Sequence, residues 1–315
     1  MKKIPLGDTG VEVSEFCLGA MMFGSRDDRA TSYRMLDMYT AAGGAFIDTA
    51  NAYARWVPGC QGGESEALLG DWLAERGNRS RLFIATKVGA PAPVDDLEMG
   101  LRAEQIERAC EGSLRRLRVE TIDLYYAHRD DRDAPVEERL EAFDRLVRAG
   151  KVRFIGSSNA RAWRLAEAHA ISDAHGWPHY VCVQQRYTYL RPRPGQDWPT
   201  HPFANGDLFD YLASHPLTLL AWSPLLGGAY TRTDRPLPEQ YVGPDSDARL
   251  AVIRQVAAEL GVNANQVVLA WMRHHTPKVI PLIAASTEQQ MNELLTALDV
   301  RLDDEQMRRL NEAGA

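Results

Sequence analysis

Three largely apolar runs in this sequence each stop at a titratable residue. Ala45-Phe46-Ile47 stops at Asp48, Leu82-Phe83-Ile84-Ala85-Thr86 at Lys87, and Ile122-Asp123-Leu124-Tyr125-Tyr126-Ala127 at His128. Tyr53 follows Asp48 across a short loop of small residues, Thr49-Ala50-Asn51-Ala52. Short bounded runs of this kind read as buried strands that open into loops. A buried carboxylate is costly unless paired, so Asp48 requires a cation, and Lys87 at the end of the next strand supplies one. Such residues at successive strand ends are not a packing pattern. The chemistry open to them is proton transfer or metal-assisted hydrolysis. The second needs several convergent His and carboxylate ligands. His128-Arg129-Asp130-Asp131 is a thin start, no His-x-His occurs, and no metal is expected.

The elements that must position these groups alternate along the chain. Residues 1–15 read as a hairpin turning at Gly7-Asp8-Thr9-Gly10, and Phe16–Ala20 as the first core strand. A helix over Thr31–Ala42 ends at Gly43-Gly44, and another covers about Glu64–Arg76. Further strands fall at 82–87, 122–127, 152–156, 180–184, 217–222 and 278–283. Further helices fall at 104–118, 135–149, 161–175, 206–214, 247–260, 264–274 and 287–298, with a closing helix near 302–310. Strands that alternate with helices lie parallel. Eight such units in 315 residues predict one α/β domain over 1–315, a closed (β/α)8 TIM barrel with an N-terminal β-hairpin and extra helices. An open doubly wound sheet would need G-x-G-x-x-G after the first strand; Leu18-Gly19-Ala20-Met21-Met22-Phe23-Gly24 does not provide it.

The totals agree with a large packed core and narrow the partners. The chain is 45% hydrophobic and carries a net charge of −7, so no general nucleic-acid surface is expected. No apolar stretch is long enough to span a membrane and no signal-peptide h-region is present, which points to a cytoplasmic protein. Cys17, Cys60, Cys110 and Cys182 lack metal or redox spacing and read as reduced thiols. The oligomeric state is not legible.

In a barrel of this kind, active groups lie at the C-terminal strand ends. In order these are Asp48, Lys87, His128, Ser157-Ser158-Asn159, Gln184, Trp222-Ser223 and Ala284-Ala285-Ser286-Thr287. Together with Tyr53, Ile84-Ala85-Thr86-Lys87, Ile122-Asp123-Leu124, His128-Arg129, Gly150-Lys151-Val152-Arg153-Phe154-Ile155-Gly156-Ser157-Ser158-Asn159 and Ser223-Pro224-Leu225, they make the chain resemble the aldo-keto reductase family over nearly its whole length. The resemblance implies the barrel already read from the alternation. It also implies nicotinamide-dependent interconversion of an aldehyde or ketone and its alcohol, with the dinucleotide extended across the barrel rim.

Carbonyl reduction delivers hydride to carbon and a proton to oxygen, so a donor must reach the developing alkoxide. By the resemblance Tyr53 is the general acid/base. An unperturbed phenol near pKa ~10 is a weak acid, and a neighbouring ammonium lowers that value; Lys87 is expected to do so, held by Asp48. His128 is expected to orient the substrate oxygen. Ser158, Asn159 and Gln184 match groups that bond the nicotinamide carboxamide, and Trp222 the aromatic stacked on its ring. Ser223, Leu225 and Gly227 match the pyrophosphate stretch. Ser286, Thr287 and Gln290 open a helix with capping-box spacing, which suits an anion. NADP(H) is the family's usual cofactor, but 284–290 contains no Lys or Arg. Ser286 stands where a basic residue is common and Leu294 where an Asn often meets adenine. NAD(H) is therefore expected to serve as well.

Two loops, 54–63 and 190–204, are long. Trp56 and Arg55 are expected to wall the substrate pocket, with Gln61 and Trp198 nearby. These residues would suit a sugar or another polyhydroxylated carbonyl, and small hydrophobic aldehydes fit nearly as well. The short C-terminus implies that a large specificity loop is missing there. A second reading is a regulatory or redox-sensing subunit of the same fold with little turnover. It would be expected to bring a segment before the hairpin or a large apolar face.

Overall fold

A computed structural model describes residues 1–90, 100–196 and 200–314. Eight parallel strands close into a barrel: β3 (Cys17–Gly19), β4 (Phe46–Asp48), β5 (Phe83–Val88), β6 (Ile122–Ala127), β7 (Val152–Ser158), β8 (Tyr180–Arg186), β9 (Thr218–Trp222) and β10 (Val279–Ile283). β10 returns to pair with β3. The antiparallel hairpin of β1 (Lys3–Pro5) and β2 (Glu12–Ser14) stands outside that sheet and plugs the barrel's lower end with Leu6 and Val13. At Gly7 a side chain would meet the carbonyl oxygens of Val181 and Pro216 at 2.7 Å, and φ is +53°. Only glycine allows that approach.

Helices α1 (Arg29–Ala41), α2 (Glu64–Arg76), α3 (Ala103–Leu117), α4 (Val136–Arg148), α5 (Ala162–His175), α6 (Gly206–Ser214), α7 (Pro244–Leu260), α8 (Ala264–Arg273), α9 (Glu288–Thr296) and α10 (Asp304–Glu312) surround the barrel. Local chemistry marks their ends. Asp28, Asn263, Thr287 and Asp303 each accept a backbone N–H from the first turn, as N-caps should. Pro244 sits at the first position of α7, where its missing N–H is harmless; that helix starts three residues before the sequence-based boundary. On α3 the buried set Ile106, Ala109, Cys110, Ser113 and Leu117 keeps a helical period against the barrel.

Strand alternation explains how apolar strands present charges. Phe46, Phe83, Ala85, Leu124 and Tyr126 fill the barrel interior, while Ile47, Ile84 and Tyr125 face the helices. Two residues on from an inward apolar side chain, the same face carries Asp48, and likewise Lys87 and His128. The Phe46 and Phe83 rings meet edge to face at 5.2 Å beneath Asp48 and Lys87, closing the interior below them. No described helix is long and apolar enough to cross a membrane.

Candidate active site

Asp48 and Lys87 are fully buried and form an ion pair. Lys87 Nζ also donates to the Thr49 carbonyl and to the Tyr53 hydroxyl, each at 2.8 Å. An ammonium has three donors, and three acceptors surround it; the pair therefore stands as carboxylate and ammonium. Burial alone would raise the Asp48 pKa and lower that of Lys87, and each ion opposes the other's shift. Gln184 Nε2 donates to the free Asp48 oxygen at 2.9 Å, completing the carboxylate's coordination.

The Tyr53 phenol departs from the expectation that Lys87 lowers its pKa. Burial, and then the Asp48 carboxylate, hold it well above its ordinary value. The reason is charge balance. Asp48 already offsets the lysine, so the phenolate faces a neutral pair and bears the full cost of desolvation. Tyr53 is thus a protonated donor at any ordinary pH. His128 is shifted the opposite way, well below its usual range, by burial and then chiefly by the charge of Lys87. It is a neutral imidazole whose ring stands edge-on to Tyr53, with centroids 5.8 Å apart. Its Nδ1 is buried without a hydrogen-bond partner among the described residues.

Asn159 ties three strand ends together. Its Nδ2 donates to the His128 carbonyl at 2.9 Å, its Oδ1 accepts from Trp222 Nε1 at 3.2 Å, and its backbone N–H reaches the Gln184 carbonyl at 3.0 Å. The residue adopts φ +55°, and Ser223 and Leu226 are also left-handed. Such conformations are costly for side-chain-bearing residues and are found where a site over-determines the backbone. Ser158 Oγ donates to the Gln184 carbonyl at 3.0 Å.

Above these groups opens a cavity of about 890 Å³. Tyr53, Trp56 and His128 line one end; Ser158, Asn159, Gln184, Trp222, Ser223, Leu225 and Gly227 line its length; Ser286, Thr287 and Gln290 line the other end. Asp48 and Lys87 lie beneath its floor. Arg55, expected on the wall, does not line the cavity, and neither does Gln61. The chain turns at Ala54, whose φ is +72°, which carries Arg55 off the line of Tyr53. Trp198 lies outside the described residues. Trp56 is 51% exposed, and its ring meets Tyr53 edge-on at 6.3 Å. Trp56→Ala should therefore raise KM or shift aldehyde preference while the cofactor Kd stays put; a cofactor Kd rising in step with KM would move Trp56 to the dinucleotide.

The cavity also holds residues that strand-end reading missed, among them His201, Arg232, Arg235, Asn265 and Glu293, and it holds Arg129, to which the sequence assigned no role. Arg232 and Arg235 come from the loop after β9, which folds back over Gly227 and Gly228. Both glycines have positive φ, and a side chain at Gly228 would meet Arg232 Cδ at 2.9 Å. At the far end, Gln290 Oε1 accepts the Ser286 N–H at 2.9 Å. Arg34 of α1 pairs with Glu288 at 2.6 Å, so a basic residue from elsewhere does stand beside 284–290.

A parallel eight-stranded barrel with a buried carboxylate–ammonium–phenol array under a long rim cavity defines a class of barrel oxidoreductases. Residues 15–315 match the model of the Aldo/keto reductase family. An oxidoreductase of Bacillus subtilis, YrpG, is 35% identical over 98% of this chain and 94% of its own length. Norsolorinic acid reductase stcV of Emericella nidulans is 33% identical over 95% of this chain and 77% of its own. Protein tas of Escherichia coli is 28% identical, covering 94% and 93%. The chain belongs to the aldo-keto reductase family, whose members generally use NAD(P)H.

Proposed function

We propose that the protein is an NAD(P)(H)-dependent carbonyl reductase, with Tyr53 as the general acid and Lys87, Asp48 and His128 serving it. The observation that carries this reading is the Lys87 ammonium, fixed at 2.8 Å from a phenol that faces the cavity. When bound, the nicotinamide supplies hydride. Tyr53 hands its proton to the carbonyl oxygen, and Lys87 Nζ, donating to the hydroxyl oxygen at 2.8 Å, holds that oxygen in place for the transfer. Asp48 keeps Lys87 charged and aimed. The unpaired His128 imidazole is free to hold the substrate oxygen.

The cavity suits an extended dinucleotide. Trp222 offers a ring face, and the Arg232 and Arg235 side chains lie over the Gly227-Gly228 backbone, where they would meet phosphate oxygens. Ser158, Asn159 and Gln184 keep unused acceptor capacity for a carboxamide, while their donors serve the protein. Ser286, Thr287 and Gln290 would lie along the adenosine. The norsolorinic acid reductases among the relatives favour carbonyl reduction over the regulatory alternative. Oxidation of NADPH or NADH by a panel of aldehydes tests the reading; no turnover with any of them leaves the regulatory subunit.

For cofactor choice, a hydrogen bond to a charged group is worth ~1.5–3 kcal/mol, so one absent arginine costs roughly ten- to a hundredfold in NADP affinity. Arg34 does not replace it while it is held by Glu288. Both cofactors should be used, with weak discrimination in kcat/KM at fixed ionic strength. A preference for NADPH above about a thousandfold would show that a cation does reach the 2′-phosphate.

A further inference from the structure

We propose that the substrate end of the cavity selects a planar aromatic carbonyl compound bearing a carboxylate or similar anionic group, with Arg129 as the residue that receives the anion. The inference rests on the reading that a carbonyl substrate lies beside Tyr53.

Arg129 lines the cavity next to His128. Its Nε–H is fixed to the Gly89 carbonyl at 3.1 Å, and its terminal nitrogens have no partner among the described residues. The nearest carboxylate in sequence does not neutralise it: Asp130 is bonded to Arg164 at 2.9 and 3.1 Å and lies 3.6 Å from Arg132. The cavity's lining carboxylates are committed at its other end, Asp27 to Ser286 and Glu293 to Asn265. Arg186 lies behind the rings, 5.3 Å from the centre of Trp222. The Tyr53 end of the groove thus carries the Arg129 cation with no lining carboxylate beside it among the described residues; Arg232 and Arg235 lie farther along, against Gly227 and Gly228.

The walls at the cationic end are flat rings. Trp56 stands against Tyr53, and His201 stands edge-on to Trp222 with centroids 6.0 Å apart. Burial and the charges of Arg186 and Arg129 hold His201 below its usual range, so it enters as a neutral ring. A neutral substrate filling this slot would strip water from the Arg129 guanidinium and return nothing, which is unfavourable. A planar carboxylate restores the lost bonds through the guanidinium fork, and the rings accept the aromatic body.

The test is calorimetric binding of 2-naphthoate and its neutral isostere 2-naphthamide to the full chain, with and without saturating NADP⁺. The wild type should bind the naphthoate roughly ten- to a hundredfold more tightly, the worth of a charge-assisted hydrogen bond. The ratio should fall to about one in Arg129→Met and recover in part in Arg129→Lys. Equal affinities in the wild type, a ratio unchanged in Arg129→Met, or binding of neither probe would each overturn the proposal. Should Arg129→Met fail to fold, Arg129→Lys decides: an undiminished ratio there places the anion elsewhere. Aldehyde turnover without naphthoate preference removes only the anion site; naphthoate preference without turnover removes only the reductase reading.

Discussion

Tyr53→Phe should lower kcat for aldehyde reduction by about 10²–10³, the usual cost of removing one well-placed donor to a developing oxyanion. The ring keeps its contacts with His128 and Trp56, so the cofactor Kd and the melting temperature should change little. Retention of more than half the wild-type kcat would remove Tyr53 from the reaction. The same residue sets a pH signature. The donor works protonated, and its pKa is raised, so activity is lost only when pH climbs past that raised value. Reduction should therefore be flat from about pH 7 to 9. His128, shifted down, adds no step in that range. A steep loss between those limits would mean that the phenol ionises there after all.

Lys87→Met should abolish measurable turnover and destabilise the fold. It removes the cation beneath Tyr53 and leaves Asp48 in a fully buried position with only Gln184 and Tyr53 as donors. Breaking one side of a buried pair costs roughly 3–5 kcal/mol. Asp48 limits the loss by taking up a proton, since burial already pushes its pKa up. The double variant Lys87→Met/Asp48→Asn should therefore regain much of the stability and none of the activity. Thermal unfolding of the three proteins reads the first effect and single-turnover assays the second; an unchanged melting temperature in Lys87→Met would contradict the buried pair.

How much of this could be read from the residues depended on whether the information was local. The strands were legible because each is a short apolar run bounded by turn residues, and period-two alternation then placed Asp48, Lys87 and His128 on one inner face. The rim groups Ser158, Asn159, Gln184 and Trp222 followed from the same argument. His201 was not legible, because its place beside Trp222 depends on how the loop between β8 and α6 folds back over the rim. Arg232 and Arg235 were missed for a similar reason: two left-handed glycines reverse the chain. The direction of the Tyr53 shift failed on another count. The Asp48–Lys87 pair was itself legible from the strand ends, but the full burial of the Tyr53 hydroxyl and its nearness to the Asp48 carboxylate, which together raise the phenol, were not.

The join between β10 and β3 carries a consequence for the order in which the molecule holds together. It is made by two register pairs, Leu282 with Cys17 and Ile283 with Leu18, and links segments at opposite ends of the chain. Loop-closure entropy makes such a contact the dearest to form, and local opening favours the weakest shared edge. The seam lies directly below residues 284–290 and beside β4, but away from β6 and β7. Breathing at the seam would thus loosen the groove's adenosine end before it disturbed His128. A ligand bridging Ser286 to Trp222 would act as a clasp across that edge, tightening the whole barrel through mass action.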